Sequence, residues 1–251
     1  MDRARMERVV WLVSGNKGAC GKSVVAKSLV EWLWTHERPV TIVEGDRRTP
    51  DVAAVYEAAT SSDEDGSKAT LPCVRFDLQS EDGWPQFSDY LCTPDTDGVL
   101  VSGHIVTNLP DAITDRAMLF FERFMHLVQA YGFEVRVLFV MNTLPDGLHM
   151  FGTLAKTFPN VTPVKNLFFG KPRQFEHFDA AYGIEYDDKV LFFPPMSKSI
   201  MQVVRESNLS FSDFLAQRGN QASNFSYAKL VVAQWRDNML EAFDDALFMD
   251  H

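Results

Sequence analysis

Gly15-Asn16-Lys17-Gly18-Ala19-Cys20-Gly21-Lys22-Ser23 follows the apolar run Val9-Val10-Trp11-Leu12-Val13 and opens an amphipathic helical stretch. A strand, a loop of small residues and a helix, in that order, read as a phosphate-binding loop. Small residues at 18, 19 and 21 let backbone N–H groups turn inward around a polyphosphate, and the helix beginning near Lys22 brings its positive dipole end to the same place. Lys22 is then positioned for the β- and γ-phosphates and the Ser23 hydroxyl for Mg²⁺. A glycine-rich turn that binds nothing requires neither two lysines nor a terminal Gly-Lys-Ser.

Outward from this loop, helical periodicity runs from Ser23 to about Thr35, with Val24, Val25, Leu29, Val30 and Leu33 apolar, and His36-Glu37-Arg38-Pro39 ends it. The β-branched run Val40-Thr41-Ile42-Val43 follows and delivers Glu44, Gly45 and Asp46 at its C-terminal end, where α/β sheets place their ligand crevice. Further strands are expected at Val74-Arg75-Phe76-Asp77, Val99-Leu100-Val101, Glu134 to Met141, Thr162 to Phe169 and Lys189 to Phe193. Helices are expected at 51–59, from Trp84 to Cys92, from Asp111 to Tyr131 and from Leu148 to Phe158, with two closing helices at about 197–217 and 223–248. The third of these is supported by Ala117, Phe120, Phe121, Phe124, Leu127 and Val128, with Gly132 as its stop. Thr60 to Lys68 reads as a polar, acidic loop. Strands alternating with helices predict an α/β fold, a doubly wound and mostly parallel sheet.

The 251 residues suit one nucleotide-binding domain spanning 1–251, with the closing helices packed on its flank. The apolar run after the charged N-terminal arm is too short for a signal peptide or a membrane span. Cys20, Cys73 and Cys92 show neither metal-type nor paired disulfide spacing, which suits a reducing cytoplasm. Cys20, inside the loop, reads first as a small space-filling residue and second as a thiol activated by the helix N-terminus. The net charge of −10 argues against nonspecific DNA binding and against anionic membranes. Lys165, Lys171, Arg173, Lys198 and Arg205 remain available for a local basic patch, but no run of basic residues stands out.

The strict G-x-x-x-x-G-K-[ST] pattern fails at Asn16, and a second lysine, Lys17, stands five positions before Lys22. The stretch Lys17-Gly18-Ala19-Cys20-Gly21-Lys22-Ser23 resembles the deviant Walker A loop, K-G-G-x-G-K-[ST], of ParA/MinD-type ATPases, with Ala19 in place of the second glycine. The resemblance covers roughly residues 8 to 205, and its specific motifs lie in the first 50. It implies a P-loop NTPase fold and a homodimer closed around ATP and Mg²⁺, in which Lys17 reaches the partner copy's phosphates. It also implies slow ATP hydrolysis and a protein partner that senses the nucleotide state. Residues 15–23 would hold the phosphates, with Ser23 and Asp46 on the metal. The family's acidic pair after the second strand is here Glu44-Gly45-Asp46, with Asp46 orienting water and Glu44 supporting it; an acidic turn paired with Arg47 and Arg48 is the alternative. For the base, the resemblance points to Asn142, after the strand Leu138-Phe139-Val140-Met141, and to the loop Pro194-Pro195-Met196. Asn142 serves equally well as a turn residue before Pro145-Asp146-Gly147.

The resemblance also expects an apolar strand ending in Asp, the Walker B acid. If that strand is Val99-Leu100-Val101, its end is Ser102-Gly103-His104, and a serine brings no negative charge to a metal, so binding and hydrolysis should both weaken. Asp77 is a less well placed substitute, and His104 reads as a structural or exposed histidine. The C-terminal helix ends acidic, unlike the basic amphipathic helix of membrane-positioning relatives. Within the family, the chain looks more like an accessory protein of plasmid maintenance or conjugative transfer than a chromosome segregation ATPase. A small-molecule kinase or ligase on the same scaffold, similar to dethiobiotin synthetase, and a module that holds nucleotide without hydrolysing it, are the alternative functions.

Overall fold

The computed structural model describes residues 7–15, 19–47, 49–58, 71–111, 115–217 and 224–247. Seven strands form one sheet in which every pairing is parallel: β1 (Arg8–Gly15), β2 (Val40–Glu44), β3 (Cys73–Arg75), β4 (Gly103–Asn108), β5 (Glu134–Met141), β6 (Asn160–Asn166) and β7 (Leu191–Phe193). Their order across the sheet is β3-β2-β4-β1-β5-β6-β7. The chain leaves β1, skips a place to lay down β2, returns to fill the gap with β4 and then crosses to β5. Both neighbours of β1 are therefore later strands, and the C-terminal ends of β4, β1 and β5 frame a crevice of the kind such switch points create.

Side-chain alternation along each strand divides the core in two. Val9, Trp11 and Val13 of β1 face one layer, with helices α1 (Lys22–Thr35), α2 (Ala53–Ala58), α7 (Lys198–Ser207), α8 (Phe211–Ala216) and α9 (Asn224–Leu247). Val10 and Leu12 face the other, with α3 (Gly83–Cys92), α4 (Asp115–Ala130), α5 (Leu148–Thr157) and α6 (Glu176–Tyr186). The first layer is also tied by polar contacts. Arg236 of α9 donates from Nε to the buried Glu31 carboxylate of α1 at 2.6 Å, and the Trp32 indole donates to Asp244 at 2.7 Å. The second layer is an aromatic packing, with Trp84 meeting Phe121 and Phe124 edge-on at 4.7 and 5.2 Å between centroids.

Most expected elements are present, and the differences have local causes. Val99-Leu100-Val101 is not a strand. Asp95 accepts the N–H groups of Asp97 and Val99 at 2.9 Å each, so the segment is spent on a turn, Val99 is 50 % exposed, and pairing with β1 starts only at Gly103. The third strand is Cys73–Arg75, short of Asp77, and the sixth ends at Asn166, short of Phe169. The single helix expected at 197–217 is two: Asn208 adopts φ 52° and Ser210 caps α8, its hydroxyl accepting from the Asp213 N–H at 3.0 Å. In α4, Phe121, Phe124 and Val128 are buried as expected, whereas Leu127 faces outward. Helix α6 was not anticipated. The acidic loop at 60–68, the side chain of Ala117 and residues 223 and 248 at the ends of the last expected helix lie outside the described residues.

Candidate functional site

The crevice at the C-terminal edge opens into a cleft of about 870 Å³. Its floor is the turn from β1 into α1. Gly21 takes φ 99°, and a Cβ there would stand 2.4 Å from Asn166 Nδ2. Ala19, with φ 68°, is a second left-handed residue in the same turn. The turn is clamped from β6, because Asn166 donates through Nδ2 to the Cys20 carbonyl at 2.9 Å while its Oδ1 accepts from the Phe168 N–H at 3.1 Å. Gly15 closes the other side, since a Cβ there would meet Cys20 Sγ at 2.6 Å and the Val140 carbonyl at 2.7 Å. Cys20 is fully buried, so its thiol fills space beneath the loop. Asn16, Lys17 and Gly18 lie outside the described residues.

Lys22 and Ser23 both line the cleft. Lys22 is 5 % exposed and its ammonium is paired with the carboxylate of Asp111, which is 51 % exposed. Asp46 also lines the cleft and is held by Thr49, which donates from its hydroxyl to Oδ2 at 2.8 Å and from its N–H to Oδ1 at 3.3 Å. Glu44 points elsewhere: its Oε2 accepts from the Val52 and Ala53 N–H groups at 3.1 and 3.2 Å, anchoring the start of α2, and its Oε1 accepts from Asn108 Nδ2 at 2.8 Å. Burial pushes its carboxyl above the usual range, and these hydrogen bonds oppose the shift. Arg47 stands 4.0 Å from Asp77, so Asp77 faces that arginine at the sheet edge, and Arg48 lies outside the described residues.

The end-of-strand position expected to carry an acid belongs to Asn108. The strand beside β1 is β4, whose last residue is Asn108, whereas Ser102 precedes β4 at the opposite edge of the sheet, next to the Arg8–Gly103 register. Asn108 is 3 % exposed, lines the cleft, and its Oδ1 is a buried acceptor with no hydrogen-bond partner among the described residues. His104 also lies at that far edge, where it accepts through Nδ1 from the Trp11 indole at 3.0 Å and meets Glu7 through Nε2 at 3.2 Å; burial lowers its pKa.

The base-side residues divide. Pro194 lines the cleft, its carbonyl fixed by the Trp235 indole at 3.0 Å, and Pro195 beside it is exposed. Asn142 is outside the cleft lining. Its Oδ1 accepts from the Leu144 N–H at 2.9 Å, and it borders a separate small cavity with Met141 and Phe175. Asn108, Asp111 and Asn166 are the residues that reading the sequence missed. Each had one available signal, a polar residue at the end of a β-branched run or just past it.

No family model matches the chain. A sequence relative, Protein MobD of Acidithiobacillus ferrooxidans, is 23 % identical over 250 residues, covering 96 % of this chain and 99 % of that one. Among solved structures, the septum site-determining protein MinD from Pyrococcus horikoshii, complexed with Mg-ADP, superposes with a TM-score of 0.53 at 18 % identity, over 93 % of this chain and 97 % of that one. The fold is that of the ParA/MinD-type ATPases. A ParA family ATPase from Chlorobium tepidum gives a TM-score of 0.51 at 14 % identity, over 92 % of this chain and 98 % of that one. Among the described residues, no helix is long and apolar enough to cross a membrane.

Proposed function

We propose that this chain is an ATP- and Mg²⁺-binding switch of the ParA/MinD type, which pairs with a second copy around the nucleotide and reports its nucleotide state to a protein partner. The observation that carries this is the buried Lys22 on a left-handed glycine turn at the C-terminal end of the central strand, opening into a cleft of nucleotide size. Backbone N–H groups of residues 18–21 and the start of α1 would hold the phosphates. Lys22 would exchange Asp111 for phosphate oxygens, and Pro194 would lie against the base. Lys17 would act on the other copy's phosphates, as the sequence resemblance implies. Plasmid maintenance or conjugative transfer is the setting we assign on the same resemblance, in the cytoplasm.

The residues present fit a hard divalent cation. Ser23, Asp46 and Asn108 offer oxygen ligands to the same cleft, and Asn108 Oδ1 is an unsatisfied acceptor of the kind a metal-bound water would fill. Bound there, Mg²⁺ neutralises charge on the phosphates. Asp46, fixed by Thr49, is the group that would orient an attacking water, while Glu44 is occupied by α2 and Asn108. Because Asn108 is neutral, metal affinity and turnover should both be low.

ATP turnover and light-scattering mass, measured with Mg²⁺ for the wild type, Lys17→Ala and Lys22→Ala, test the proposal. An ATP-dependent dimer lost in both variants is the expected result. A monomer that binds ATP and is indifferent to Lys17→Ala would overturn the switch and leave a kinase-like or passive site.

A further inference from the structure

The cleft continues past the phosphate loop along a wall made by α1 and α7, where its chemistry changes. On α1, Lys27 follows Ser23 by four residues and lines the same opening. On α7, Ile200 and Val204 are buried against the core, while Lys198, Gln202 and Arg205 line the cleft at the spacing of one helical face. With Lys22, four cations of the described residues line this cavity, matched by four carboxylates, in a chain whose net charge is −10.

Lys27 is half-buried, and burial lowers its pKa; Asp51 opposes that shift, Arg205 adds to it to a lesser extent, and Glu44 opposes it least. Among the described residues, however, neither Lys27 nor Arg205 has a carboxylate at ion-pair distance, although Asp51 and Glu206 line the same cleft. Glu206 instead accepts a hydrogen bond from Gln202 at 2.8 Å. Lys27 is thus partly desolvated beside a like charge, with Asp51 and Glu44 within electrostatic range but no carboxylate paired with it at contact among the described residues.

We propose that Lys27 and Arg205 form a second oxyanion site in the cleft, beside the phosphate loop and distinct from it, which takes the phosphate or carboxylate group of a ligand other than the nucleotide. Lys27 supplies a compact charge on the rigid face of α1, and Arg205 supplies a fork of donors from α7. An oxyanion seated between them bridges the helix that carries the phosphate loop to the helix that follows the Pro194 loop. Lys198, two turns before Arg205 on the same face, adds charge at the entrance.

The site is tested on the full chain by acetylating lysines at pH 8 and following Lys27 and Lys22 separately by mass spectrometry. Inorganic phosphate and citrate serve as probes, with and without saturating Mg-ADP. The expected result is that one or both probes protect Lys27, that Mg-ADP does not abolish the protection, and that Arg205→Ala raises the protecting concentration by about tenfold or more. Arg205→Lys should restore part of the effect. Protection by phosphate alone or by citrate alone identifies which oxyanion the site prefers. The proposal is overturned if neither probe protects Lys27, if Arg205→Ala changes nothing, or if Mg-ADP removes Lys27 protection by filling the phosphate loop. If Mg-ADP fails to shield Lys22, the nucleotide proposal fails instead, and the Arg205 comparison still decides this one.

Discussion

Gly21→Ala should be costly for two separable reasons, and Asn166 allows them to be separated. At φ 99° an alanine carries the steric penalty of the left-handed region, about 1–2 kcal/mol. Its Cβ would also stand 2.4 Å from Asn166 Nδ2, so the amide must retreat and abandon the Cys20 carbonyl it holds at 2.9 Å. Leaving a buried carbonyl without its donor costs about 1–3 kcal/mol. Gly21→Ala is therefore expected to destabilise the protein by about 2–5 kcal/mol, and Asn166→Ala alone by about 1–3 kcal/mol. In the double variant the amide is already absent, so Gly21→Ala should add only its backbone part, leaving a non-additivity of about 1–3 kcal/mol. Urea denaturation of the four proteins measures the cycle, and fluorescent nucleotide binding on the same set shows whether affinity follows loop geometry. Strict additivity would refute the clamp and leave Gly21 required by backbone conformation alone.

Asp111→Asn frees Lys22 from a carboxylate that competes with phosphate; with Asp111 half exposed the pair contributes up to about 1 kcal/mol, so metal-free ADP should bind up to about fivefold more tightly by calorimetry. Glu44 gives stability a definite slope. Its folded-state pKa is raised by burial, so the folded protein binds the proton more tightly than the unfolded chain, and stability falls as pH rises from about 4.3 through the folded value. Denaturation midpoints across that range should show the fall in the wild type and lack it in Glu44→Gln. Asn108→Asp sets a second carboxylate against Glu44 where an N–H now donates at 2.8 Å, and should destabilise by up to about 4 kcal/mol at neutral pH, less as pH falls and one of the pair takes a proton. Ser102→Ala, at the far edge of the sheet, should leave nucleotide affinity unchanged in the same binding assay.

The legible parts of the fold were those in which pattern and position agreed. β5, Glu134–Met141, carries the unbroken apolar run Val137 to Met141 in the interior of the sheet, and its bounds could be read directly. The turn from β1 into α1 was readable because glycine, lysine and serine at fixed spacing have few other uses. The segment 99–108 was misread because apolar content alone does not distinguish a turn from a strand; Asp95 captured the first apolar run, and the strand fell on His104-Ile105-Val106-Thr107, whose polar members looked like loop. Helix α6 was missed for a related reason. Phe175, Phe178, Tyr182 and Tyr186 recur at helical spacing and pack on Phe151, but Gly183 and the polar residues between them weakened the signal. Asn166 had only its place at the end of a β-branched run to mark it, because its partner, the Cys20 carbonyl, is 146 residues away.

The residue that ends β4 has a second role beyond the cleft. A serine at that position would have been a simple loss of charge, whereas Asn108 is one half of a pair. Its Nδ2 donates to Glu44, whose other oxygen holds the first N–H groups of α2, while its buried Oδ1 has no hydrogen-bond partner among the described residues. Two carboxylates at 2.8 Å could not both be ionised in so buried a place, so an amide at 108 is the condition under which Glu44 can carry charge and anchor α2. Glu44 at the end of β2 supports α2, while the residue that ends β4 is neutral. The Asn108 amide, the Glu44 carboxylate and the Val52 and Ala53 N–H groups thus form one hydrogen-bonded chain from the end of β4 through the end of β2 to the start of α2.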